Sequence, residues 1–133
     1  MNKITATDTA PEALVQQQLD AYNAHDLDAL LATYAEDARL FEHPATLLAS
    51  GTTQLRERFA LRFQEPNLHA HLTQRIVMDR FVVDHEIVTR TFPEGTGTVE
   101  LIATYEVIDG RIINAWFLSG PKMLDSVQPA FKM

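Results

Sequence analysis

Three polar side chains fall where the hydrophobic pattern reserves space for apolar ones, and their types suit proton transfer. Gln18 stands inside the helical stripe Leu14, Val15, Leu19 and Tyr22. His85 takes the same strand phase as Phe81, Val83 and Ile87, and His43 ends a short strand between Glu42 and Pro44. A polar group on an inward face needs a partner, and a cavity offers ligand or water in that role. Imidazole titrates at about pH 6.5, so His43 and His85 are the expected general acid–base residues. Gln18, with Tyr22 or Tyr105, is expected to orient a carbonyl or hydroxyl. Leu31, Phe59, Phe63, Tyr105 and Phe117 are the expected apolar walls. Each polar residue alone reads more simply as a satisfied core group; the inference rests on three elements converging on one space.

Other clusters carry less. His69 and His71 fall on the polar face of their strand beside Thr73 and Arg75, with no third ligand there, so they read as solvent or interface residues and no metal is expected. Asp84-His85-Glu86 is not a catalytic string, because neighbouring strand residues point to opposite sides. Arg56, Arg58 and Arg62 sit among Glu57 and Glu65 at helical spacing and read as a solvated helix face. Gly95-Thr96-Gly97 reads as a hairpin-like turn without the third glycine and following helix of a phosphate loop, so no cofactor is expected.

The elements that must position these residues fit one domain of 133 residues, with tails expected at 1–10 and 125–133. A first helix starts near Pro11 with Glu12 in its first turn. Asn23-Ala24-His25-Asp26 breaks it, and Asp26 can cap a second helix with the stripe Leu27, Leu30, Leu31 and Tyr34. A short strand covers Arg39 to His43. A third helix, capped by Thr52 or Thr53, carries Leu55, Phe59 and Phe63.

From Asn67 the period becomes two. Leu68, Ala70, Leu72, Ile76 and Met78 share one face, and so do Leu101, Ala103, Tyr105 and Val107. Asp109-Gly110 predicts a tight hairpin into a last strand from Arg111 to Ser119. Helices first and strands after indicate α+β: three N-terminal helices on a strongly curved, mostly antiparallel sheet, a cone around a pocket.

Composition limits the partners. There is no cysteine, and eleven basic against eighteen acidic residues give a net charge of −7, which argues against nucleic acid. No apolar run suits a membrane span, and Met1 to Ala10 resembles neither a signal nor a transit peptide. The expected location is cytoplasmic. Trp116 points away from the face of Ala115 and Phe117, so the outer sheet face is the expected homodimer contact.

Val15 to Pro44, VQQQLDAYNAHDLDALLATYAEDARLFEHP, resembles the start of ketosteroid isomerase-like and SnoaL-like proteins of the nuclear transport factor 2-like superfamily. The resemblance continues through Leu72-Thr73-Gln74 and RIINAWFLSG and spans roughly residues 12–120. It implies the cone fold, but fold does not fix chemistry. Isomerases of the family use an aspartate base with an oxyanion hole of tyrosine and protonated aspartic acid. By local match the base falls at His43 (or, one residue earlier, Glu42), the tyrosine at Gln18 and the acid at Ala103. Supporting tyrosines match Tyr34 and Phe59. A standard steroid isomerase is therefore not expected. Epoxide hydrolases of the superfamily use an Asp-Arg-Asp set, and the periodicity places no inward arginine between inward acids. The expected function is isomerase-, dehydratase- or cyclase-like chemistry on a small hydrophobic substrate, against the alternative of non-catalytic binding of such a molecule. A protein adaptor is a third, weaker reading.

Overall fold

A computed structural model describes residues 10–125, so the predicted tails lie, apart from Ala10 and Asp125, outside the described residues. Three helices, α1 (Pro11–Asn23), α2 (Leu27–Leu31) and α3 (Gly51–Arg62), accompany six strands. These are β1 (Tyr34–Glu42), β2 (Thr46–Ser50), β3 (His69–Met78), β4 (Phe81–Phe92), β5 (Gly95–Ile108) and β6 (Arg111–Leu124). They form one sheet in the order β2-β1-β6-β5-β4-β3, with β1 and β6 parallel and every other pair antiparallel. The sheet curls without closing, and the expected α+β cone is the architecture found.

Local chemistry explains the boundaries. Pro11 opens α1, with Glu12 complementing the positive end of the helix. Asp26 caps α2 by accepting from the Ala29 amide at 3.1 Å. Asn23 ties the end of α1 to the edge strand β3: its Nδ2 donates to the Ala70 carbonyl at 2.9 Å, and its Oδ1 accepts from the Ala70 amide at 2.8 Å. Asp109 and Gly110 both have positive φ, 52° and 76°, as a two-residue turn of type I′ requires. The first strand is longer than Arg39–His43, taking in Tyr34 from the expected helical stripe, and β2 follows the Pro44 interruption.

The core joins α1, α2 and α3 to the inner sheet face. Val15, Leu30, Leu55, Val82 and Ile112 are fully shielded, each contributing about 1.5–3 kcal/mol of burial. Among the described residues no helix is long and apolar enough to cross a membrane.

Candidate functional site

The phase of β4 decides what faces the interior. Val82, Asp84, Glu86 and Val88 are buried, whereas Phe81, Val83, His85 and Ile87 are only half-buried on the other side. This reverses the expected face. The cause is register: β5 directs Ala103, Tyr105 and Val107 inward, and Val82, Asp84 and Glu86 lie directly across from Tyr105, Ala103 and Leu101. Residues opposite one another in a ladder share a face. The two-residue turn that sets this register is Pro93-Glu94, between the paired Phe92 and Gly95, and not the Gly95-Thr96-Gly97 segment.

Strand β3 also departs from the expected alternation. Its pairing with β4 shifts between Leu72 and Gln74, so one extra residue is accommodated and the alternation inverts. Ala70 is inward before the bulge and Arg75 after it, while Ile76 and Met78 are 62% and 69% exposed. An inward arginine thus does sit beside inward acids. Arg75 Nε donates to Asp84 Oδ1 at 2.7 Å and Nη2 to Oδ2 at 2.9 Å, while Nη1 donates to Gln16 Oε1 at 2.9 Å.

A cavity of about 270 Å³ opens between α1, α3 and the inner sheet face. Its apolar walls include Leu19, Leu40, Leu48, Phe59, Val88, Val99, Leu101 and Phe117. Gln18 and Tyr22 enter from α1, Tyr105 from β5 and Glu86 from β4. Glu86 is 4% exposed. Burial pushes its carboxyl up to about 7, the Asp84 charge adds to the rise, and the Arg75 guanidinium opposes it. Burial also raises the phenols of Tyr22 and Tyr105, so both remain neutral donors.

A different polar group gathers elsewhere on the lining. Arg58 and Arg62 sit one turn apart on α3, Arg90 lies four residues along β4 from Glu86, and Glu42 comes from the end of β1. Along a strand, four residues span about 13 Å. Arg58 and Arg62 were expected on a solvated face; both are half-buried and turn toward the cavity, leaving Arg56 outside, paired with Asp28 at 3.1 Å. Long side chains let a helix face that reads as solvated line a cavity instead.

Of the residues expected at the site, Gln18, Tyr22, Phe59, Tyr105 and Phe117 share this lining. Tyr34 stands behind it, its hydroxyl accepting from Gln18 Nε2 at 3.4 Å. Phe63 packs edge-on to Tyr22 and stacks on His25, with ring centroids 5.2 Å apart, outside the lining. Ala103 is fully buried in the core opposite Asp84 and does not reach the cavity.

Neither histidine lines it. His43 is exposed after β1, with its amide donating to the Phe117 carbonyl at 2.8 Å; its neighbour Glu42 takes the place on the lining. His85 lies on the outer face, where its ring meets the Thr73 hydroxyl and the Glu100 carboxylate. His69 and His71 are exposed. Trp116 is half-buried, stacked on Phe41 with centroids 5.7 Å apart, rather than bare on the outer face. Among the described residues no group of three His, Asp or Glu could hold a metal ion.

Solved structures share the fold. An uncharacterized cystatin fold protein from Novosphingobium aromaticivorans is 21% identical, with TM-score 0.76 and coverage of 82% of this chain and 97% of that one. The epoxide hydrolase/cyclase-like enzyme SalBIII, described for pyran ring formation in the polyether salinomycin, is 14% identical, with TM-score 0.75 and coverage of 87% and 95%. A candidate ketosteroid isomerase from Kribbella flavida is 17% identical, with TM-score 0.70 and coverage of 84% and 78%. At these identities the likeness establishes fold and not activity. Curated proteins yield no match. The family model described as SnoaL-like domain matches residues 15–115, and with the cone built as above the chain belongs to that family, within the nuclear transport factor 2-like superfamily.

Proposed function

We propose that the chain is a proton-transfer enzyme of isomerase or cyclase type, acting on a small molecule held in the cavity, with Glu86 as its general acid–base. The observation that carries this reading is the position of Glu86: buried, on the cavity lining, titrating at about 7, with no hydrogen bond from a described residue holding its carboxyl. A group titrating near neutrality is populated in both forms and can take and return a proton without a large penalty in either direction. The Arg75–Asp84 pair acts on it through charge alone and lies outside the cavity lining. Tyr22, Tyr105 and Gln18 supply neutral donors suited to an oxygen that gains charge as the proton leaves carbon. The role expected for His43 and His85 passes to Glu86, because neither imidazole reaches the space where a substrate would sit.

The test is solvent-deuterium incorporation across a panel of small ketones, enones and epoxides, comparing the native protein with Glu86→Gln. Incorporation or rearrangement that drops at least a hundredfold in the variant supports the proposal. Equal turnover by both proteins sinks it. A ligand retained and released chemically unaltered by the native protein assigns the cavity to binding alone.

A further inference from the structure

The cavity carries more positive charge than its reacting end can use. Arg58, Arg62 and Arg90 all line it, in a protein whose formal net charge is −7. Arg90 is satisfied: Glu65 accepts from its Nε at 2.8 Å and its Nη2 at 2.6 Å, and the same carboxylate accepts from the Thr91 amide at 3.0 Å. Glu65 is thereby committed, and Arg62 approaches it only at 3.8 Å. Arg58 forms no ion pair with any described residue. Burial and the charges of Arg62 and Arg90 all act against its protonated form, and Tyr22 and Glu42 offset them only in part. A half-buried guanidinium kept beside two others, without a carboxylate of its own, is costly unless an anion joins it.

We propose that Arg58 and Arg62 form a carboxylate-recognition site, so that the molecule bound here is a small organic acid with an apolar body. This rests on the cavity being the working site, as in the function proposed above, though not on Glu86 transferring the proton. The guanidinium fork matches a carboxylate bidentately. Arg58 and Arg62 against Glu42 leave about one positive charge, which a monoanion neutralises and a phosphate dianion would overshoot. Leu48, Phe59, Leu101 and Phe117 give the apolar body its walls.

Calorimetric titration with benzoate, phenylacetate and cyclohexanecarboxylate, each against its carboxamide, and with inorganic phosphate, tests the proposal. The measurements are made on the native protein and on Glu86→Gln, which keeps both arginines; a failed acid–base mechanism therefore leaves this result intact. At least one acid is expected to bind tenfold or more tightly than its amide in both proteins. Arg58→Gln is expected to weaken that acid by about tenfold to a hundredfold. Arg58→Lys, which keeps the charge without the fork, is expected to fall between. Equal binding of acid and amide by the native protein overturns the proposal without any variant. So does no binding by any of the three acids, unchanged affinity in Arg58→Gln, or phosphate binding in preference to every acid.

Discussion

The guanidinium of Arg75 holds the carboxylate of Asp84 through two parallel hydrogen bonds, and Asp84 lies two residues from Glu86 on the same face of β4. Asp84 is the more deeply buried partner, with its side chain 1% exposed against 15% for Arg75. The pair therefore acts on Glu86 from inside the protein, where screening by salt is weak. Its two members pull in opposite directions: the Asp84 charge raises the Glu86 carboxyl, and Arg75 lowers it.

Asp84→Asn removes the first influence and leaves the second unopposed. Glu86 is then expected to titrate below its native value, moving the pH midpoint of any Glu86-dependent activity toward acid. The variant also leaves Arg75 without its counter-charge, at an expected cost of about 3 kcal/mol in urea unfolding. An unmoved midpoint would show that Asp84 does not tune the site.

Glu86 itself makes stability depend on pH. Its carboxyl titrates at about 7 when folded, against 4.5 for an ordinary glutamate. A raised value means that the native state binds the proton more tightly than the unfolded chain does. The corresponding stabilisation is complete below the unfolded value and is lost as pH rises through about 7. Glu86→Gln removes this dependence and the burial of charge with it. The variant is expected to match the native protein near pH 4 and to exceed it by up to about 3 kcal/mol at pH 8. Paired denaturant melts across that window check the difference, and a difference that does not grow with pH would contradict the burial of charge at Glu86.

How legible the site was depended on how each strand's phase could be fixed. On β5 the inner residues Leu101, Ala103, Tyr105 and Val107 are apolar or aromatic while Glu100, Thr104 and Glu106 are polar, so one phase stands out; Asp109-Gly110 then fixes β6. On β4 both phases contain apolar residues, and hydrophobicity favoured the wrong one. Placing the turn at Pro93-Glu94 would have resolved this, since counting back from Phe92 and Gly95 puts Glu86 across from Leu101. The inversion at Arg75 had no such signal, because the bulge at Leu72-Thr73-Gln74 contains no glycine or proline to mark it. Arg58 and Arg62 escaped for another reason. Helical periodicity distinguishes apolar from polar, and a charged cavity wall has the same pattern as a solvated face.

The outer-face cluster offers a control. His85 meets Glu100 and Thr73 on the side of β4 away from the cavity, with side chains of His85 and Glu100 29% and 59% exposed. His85→Ala is expected to change ligand affinity and turnover by less than about twofold, and stability by no more than about 1 kcal/mol, as for an exposed pair. Loss of turnover in a folded His85→Ala protein would return the imidazole to the mechanism.

Asn23 holds one edge of the cavity. Strand β3 ends the sheet, so one row of its backbone groups has no neighbouring strand to pair with. At Ala70, 2% exposed and part of the cavity lining, the Asn23 amide replaces that strand by accepting from the N–H and donating to the carbonyl. Asn23→Ala removes both partners and leaves a shielded donor and acceptor unsatisfied. The expected loss is about 2 kcal/mol in urea unfolding. It should come with much faster hydrogen exchange at the Ala70 amide, while amides in β5 slow or quicken only with global stability. If the Ala70 amide keeps its protection relative to β5 in the variant, Asn23 is not what holds this edge to α1.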